Sequence, residues 1–154
     1  MHSAQLQIGR TFGVTFDNGE DFFTALAEFC AANDVRQGII PSFIAGFAEA
    51  KLVGTCGKIE NPAAPLWDSV HLTNAEVLGA GTVAYDPEND TISPHIHVAL
   101  GLKERSAVGH TSHLLEAQVL FLTEMTFVEV LAPDMRRHRN PDLYDVPLLT
   151  FGTQ

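Results

Sequence analysis

Apolar and polar positions alternate most cleanly over residues 95–102, where Ile96, Val98, Leu100 and Leu102 take one side and His95, His97, Ala99 and Gly101 the other. Successive side chains of a β-strand point to opposite faces, so this stretch predicts a strand with an aliphatic core side and both imidazoles on the reverse. The same period runs through residues 6–16, with Leu6, Ile8, Phe12, Val14 and Phe16 in phase and Gly9-Arg10 as an interruption or bulge. It returns at Ala48, Ala50 and Leu52, then near Val70–Leu72 and Glu76–Tyr85. Between the first two strands the period lengthens. Phe22, Leu26, Phe29 and Cys30 recur at helical spacing and predict an amphipathic helix over residues 19–32. Asp17 or Asn18 can cap its free amides, and Glu20 and Asp21 complement the positive end of its dipole.

The remaining segments are read by their breakers. Residues 38–46 are apolar, with Pro41 and the flanking glycines placed to interrupt regular structure, and residues 55–69 form an irregular connection around Trp67. Residues 86–90 are a turn, and residues 103–107 a polar loop. Residues 114–131 mix helical and strand signals, and the surrounding order of strands and short turns favours mostly strand. The sum is one α+β domain over residues 1–154, its core at about 8–131 and its tail, 132–154, lying on the surface or on a neighbouring subunit.

Composition narrows the function classes. With 154 residues, 45% hydrophobic and 18% charged, the chain is neither disordered nor of low complexity. Its net charge of −10 repels nucleic-acid phosphates at long range, so duplex DNA needs a local basic patch. The basic run Arg136, Arg137 and Arg139 is read as a solvated or interface patch. Cys30 and Cys56 lack the spacing of a zinc or redox pair, the N-terminus has no export signal, and no apolar run reaches membrane-spanning length. The expectation is a reduced, cytoplasmic protein with no membrane partner.

Four of the seven histidines fall within residues 95–113. A His-x-His pair on one strand face has Cα atoms about 6.6 Å apart, close enough for two imidazoles to converge on one ion. His110 is expected beside His97 once the chain returns antiparallel, completing a metal set of His95, His97 and His110. His113 is a fourth ligand or supports the first three. Three neutral imidazoles suit zinc or another divalent transition metal and leave a position for water or substrate. Cupin barrels also use His-x-His, but with a nearby Glu that is missing here, since the first carboxylate is Glu104. Gly79-Ala80-Gly81 lacks the residues of either phosphate-binding loop. No Ser or Cys carries a nucleophile motif. Glu76, Glu124 and Glu129 are strand carboxylates, read as a solvated face or intersubunit ion pairs, one of which could serve the metal as a base. Without an assigned base or a substrate signature, the sequence leans away from an enzyme.

His95-Ile96-His97-Val98-Ala99-Leu100-Gly101, then a polar loop and Gly109-His110, resembles the histidine signature of the plants-and-prokaryotes conserved (PPC) domain. Gly9-Arg10 ahead of Gly19-Glu20-Asp21, residues 42–54, and Glu76 to Gly81 are similar to further segments of that family, so most of residues 8–131 is covered. The resemblance implies a homotrimer of α+β subunits, each with a mostly antiparallel sheet, one main helix (19–32) and short extra helices. It implies His95, His97 and His110 as metal ligands. It also implies a regulatory role with provisional DNA binding, although no AT-hook peptide is present. Two departures bear on the ligands: Val108 stands where the family usually has a second Gly, and Leu114 follows His113 rather than His110. His113 is thereby a rival to His110. The competing expectation is a metal-dependent small-molecule enzyme or sensor that uses the open position of the same site.

Overall fold

The computed structural model describes residues 2–54, 68–144 and 146–152. Cys56, Trp67 and nearly all of the irregular connection expected at 55–69 lie outside the described residues. Strand β1 (Gln7–Asp17) leads into helix α1 (Phe22–Ala32), followed by β2 (Gly38–Val53), β3 (Ser69–Asp86), β4 (Thr91–Leu102) and the 28-residue β5 (Arg105–Ala132). A hairpin of β6 (Met135–Asn140) and β7 (Val146–Phe151) ends the chain, with a 3-10 turn at Pro141–Leu143 between its strands.

Among the described residues all strand pairings are antiparallel. Five strands lie in the order β1-β5-β2-β3-β4, and β4 also pairs with β5. That pairing closes β2, β3, β4 and β5 into a barrel-like ring. Closure is possible because β5 is long enough to change partners along one edge: residues 105–113 pair with β4 and residues 122–132 with β1. Between the two, the turn before α1 fills the edge through reciprocal backbone bonds of Gly19 and Glu20 with Val119, each 2.9 Å. No long open edge is left there to recruit another chain.

The predicted helix is present but starts three residues late. Asp21, extended at φ −75°, is its N-cap, and its Oδ1 accepts from the Thr24 amide at 2.8 Å. Asn18 is spent elsewhere, accepting from the Phe121 amide at 2.8 Å, and residues 17–20 form a tight turn around Gly19 at φ 89°. The helix buries Phe22, Leu26 and Cys30, and the Phe22 ring meets Phe16 of β1 and Phe43 and Phe47 of β2. Packing in this aromatic cluster holds the helix on the sheet. Burial alone raises the Cys30 thiol to about 12, so it is an inert core residue.

Three strand expectations change. Pro41 does not break β2: it sits where the register slips between Ile40 and Phe43, at a point where the ladder does not need its missing N–H. Residues 70–72 and 76–85 are one strand, kinked at Asn74, whose φ of 52° suits an Asn. The polar loop 103–107 shrinks to a tight turn at 103–104, because β5 already begins at Arg105. Residues 114–131 are strand throughout. Beyond α1, the 3-10 turn is the only other helical piece among the described residues.

The tail is not loosely attached. Met135 is 1% exposed and packs with Ala84 and Val130 in a second small core. Gln37, also buried, joins the tail to the ring by donating to the Val130 and Pro133 carbonyls and accepting from the Met135 amide.

Candidate metal centre

The alternation read in β4 holds. Ile96, Val98 and Leu100 are at most 2% exposed, and His95 and His97 stand on the outer face of the ring. Across β3 the partner of His95 is Thr82 and that of His97 is Ala80, whose methyl leaves room for a ring. Gly81, opposite Ile96, has no space for a side chain, since a Cβ there would run into the His95 carbonyl. The absent side chain lets β3 approach β4 closely at the first histidine.

The third imidazole comes from β5, and it is His113 that stands opposite His97. His110 is exposed, sits opposite the buried Leu100 and thus belongs to the other face of the strand. The cause is a slip in register. Leu102 faces Arg105 across the turn, and continuing that pairing would bring His110 opposite His97. Instead Gly101 faces Gly109, so residues 106–108 are extra in β5 and every later residue is displaced by three. An odd displacement also exchanges the faces, which removes His110 and delivers His113.

His95, His97 and His113 each offer a ring nitrogen, and the three atoms lie within 4.8 Å of one another. The Nε2 atoms of His95 and His97 are 3.0 Å apart, and the rings of His95 and His113 meet edge to face at 4.7 Å. Tetrahedral coordination at Zn–N distances of about 2.0–2.1 Å separates ligand nitrogens by roughly 3.3 Å, so only small rotations of the rings are needed to surround one ion. Desolvation, with smaller contributions from Arg137 and the two neighbouring histidines, lowers His95 to about 4; burial first, and then His97 and Arg137, lower His113. His95 is consequently neutral at physiological pH, the form that binds metals. This donor set fits a divalent transition ion.

Arg137, which the basic run 136–139 gave no reason to separate from its neighbours, reaches the same place. It shares the inward face of β6 with Met135, one alternate position along. Its Nε donates to the Ser93 carbonyl at 3.2 Å and its Nη2 to Thr82 Oγ1 at 2.6 Å, while Nη1 lies 3.4 Å from His95 Nδ1. Arginine only donates, so His95 Nδ1 is the acceptor here, and the Nε2 proton of His95 is then shared with His97. The sequence could have shown which face of β6 Arg137 occupies, but not that this face looks at a strand more than forty residues earlier.

None of the three strand carboxylates Glu76, Glu124 and Glu129 joins the histidine cluster among the described residues. Glu76 and Glu124 are exposed. Glu129 is not on a solvated face: it is 7% exposed and forms a two-pronged pair with Arg10 of the same chain, at 2.7 and 2.8 Å. The clefts of about 440 and 240 Å³ are lined by other residues and include none of the three histidines.

The model of the Plants and Prokaryotes Conserved (PCC) domain matches residues 3–131 of this sequence. Among solved structures, the metal-containing protein from Archaeoglobus fulgidus is similar at a TM-score of 0.80 and 19% identity, over 97% of this chain and 99% of that one. A plant- and prokaryote-conserved protein from Pyrococcus horikoshii follows at 0.79 and 22%, over the full length of both. A Bacteroides thetaiotaomicron protein whose name assigns it DNA binding only provisionally matches at 0.70 and 22%, over 96% of each chain. At these identities the likeness is one of fold. No curated protein matches the sequence significantly.

Proposed function

Because the chain belongs to the Plants and Prokaryotes Conserved (PCC) domain family, we propose that it assembles as a homotrimer and holds a divalent transition metal, zinc or a close equivalent. The ligands are His95, His97 and His113, with His110 outside the set. One observation carries the reading: three imidazole nitrogens from two hydrogen-bonded strands lie within 4.8 Å of one another. A bound ion would supply Lewis acidity at a position that three protein ligands leave open. The chain's own residues set the rest: Ala80 leaves space, the β4–β5 register brings His113 in, and Arg137 adds positive charge beside His95. The metal-containing relative from Archaeoglobus supports the idea at the level of fold.

Metal analysis of untagged protein tests it. Wild type is expected to retain about one equivalent per chain, His97→Ala and His113→Ala to lose it, and His110→Ala to keep it. Loss with His110→Ala and retention with His113→Ala would restore the ligand set expected from the family signature.

Trimer formation is supported by the outer face of the ring. Ile44 and Leu78, paired across β2 and β3, are 54% and 57% exposed, and Leu78 is the next residue on that face after Ala80. An apolar ridge of this kind favours association with copies of itself, and it adjoins the histidines. The regulatory role with DNA contact, carried by the provisional name of the Bacteroides relative, has the net charge of −10 against it. The second reading, a small-molecule enzyme or sensor, is favoured by the open ligand position together with Arg137.

A further inference from the structure

The guanidinium of Arg137 is half-buried, and among the described residues its partners are neutral: the Ser93 carbonyl, the Thr82 hydroxyl and carbonyl, and the His95 ring. No carboxylate pairs with it, in contrast to Arg10, Lys51 and Arg136, each of which has one. A cation withdrawn from water without a counter-charge is costly. Neutral contacts to three residues fix the plane of the group while leaving its charge unanswered, so they orient it toward something else.

The second observation is a mismatch of donors that metal loading would create. A histidine that ligates a metal normally gives its remaining N–H to an acceptor. The Nε2 of His95 faces His97, so Nε2 is the atom directed at the shared centre, and Nδ1 faces Arg137 Nη1 at 3.4 Å. Once Nε2 is given to a metal, the single proton of the neutral ring resides on Nδ1. It then meets the Nη1 donor head on. Nη1 loses its acceptor and is left to donate to a new one, while Nε and Nη2 remain anchored on Ser93 and Thr82.

We infer that Arg137 is the anion-binding arm of this centre, and that the ligand taken at the metal's open position is a small carboxylate, one oxygen on the metal and the other accepting from Nη1. The inference rests on the metal-site reading and narrows it to a substrate or effector class. A planar carboxylate matches a guanidinium held in a fixed plane better than a neutral carbonyl compound does.

The cobalt(II) form of the full-length protein supplies the test, since its visible absorption reports the coordination of the ion itself. Acetate, acetamide and inorganic phosphate are titrated separately. Acetate is expected to shift the cobalt bands and saturate, whereas acetamide leaves them unchanged. In Arg137→Gln, cobalt uptake stays within about threefold of wild type, and acetate binding weakens at least tenfold. Thr82→Val, which removes the hydroxyl contact of Nη2 without touching a ligand or the charge, gives a smaller loss in the same direction. Equal acetate affinity in wild type and in both variants overturns the inference and leaves the metal site standing. Tighter, Arg137-dependent binding of phosphate overturns the carboxylate assignment. Failure of the wild-type chain to take up cobalt removes the metal reading, and the anion arm falls with it.

Discussion

Single side chains in this protein divide by whether their charge is answered inside the chain. Glu129 is answered: side-chain and backbone hydrogen bonds from Arg10, strongest first, hold its carboxyl down at about 2. Its ordinary value is 4.5, so between pH 4.5 and 2 the unfolded chain binds the extra proton and the folded chain does not. The stabilisation is complete above that window and disappears as pH falls through it. Glu129→Gln is accordingly expected to lower the urea midpoint at pH 7, and the gap from wild type to close toward pH 2. A gap that stays constant from pH 7 to pH 2 would show that the pair contributes no charge-dependent stability. Among the described residues no carboxylate answers Arg137, the contrast with Arg10 from which the anion-binding proposal starts.

At the scale of elements, the register of the β4–β5 hairpin decides the composition of the site. Residues 106–108 are extra relative to the partner strand, and Gly109 already faces Gly101 beyond them. Deleting 106–108 should leave a regular two-residue hairpin with His113 still opposite His97, so metal content per chain is expected to stay unchanged. A switch of ligand dependence from His113 to His110 in that variant would mean the slip is not where the structure puts it. The helix is held in a different way. Phe22 is fully buried among Phe16, Phe43 and Phe47. Phe22→Ala should cost about 3–5 kcal/mol in chemical denaturation, the usual loss for an emptied aromatic core position. The helix was legible from sequence because its buried stripe repeats locally. Its start was displaced because Asn18, a good cap by type, is engaged by the Phe121 amide of a strand about a hundred residues later.

At the scale of the whole molecule, the histidine cluster and the hydrophobic core lie on opposite faces of the same sheet. Ile96 and Val98 are inward and His95 and His97 outward. Chelation should therefore empty the site without unfolding the chain: far-UV circular dichroism is expected to be unchanged in excess EDTA. Collapse of the spectrum would show that the ion supports the fold. The exposed ridge at Ile44 and Leu78 belongs to the same outer face, so Leu78→Glu is expected to shift the light-scattering mass from a trimer toward a monomer. No helix among the described residues is long and apolar enough to cross a membrane.

What the sequence determined by itself is what repeats over a few residues. The alternation around His95 and His97, the helical stripe from Phe22 to Cys30 and the acidic balance can all be read without knowing which segments meet. Tertiary structure alone decided which third histidine joins the pair, because a slip of three residues in a ladder moves a side chain to the other face while leaving the local pattern intact. It also decided that Arg137 stands beside His95 and Arg10 beside Glu129. Contacts across 42 and 119 residues arise from how strands pair when the sheet closes, and no local periodicity encodes that pairing.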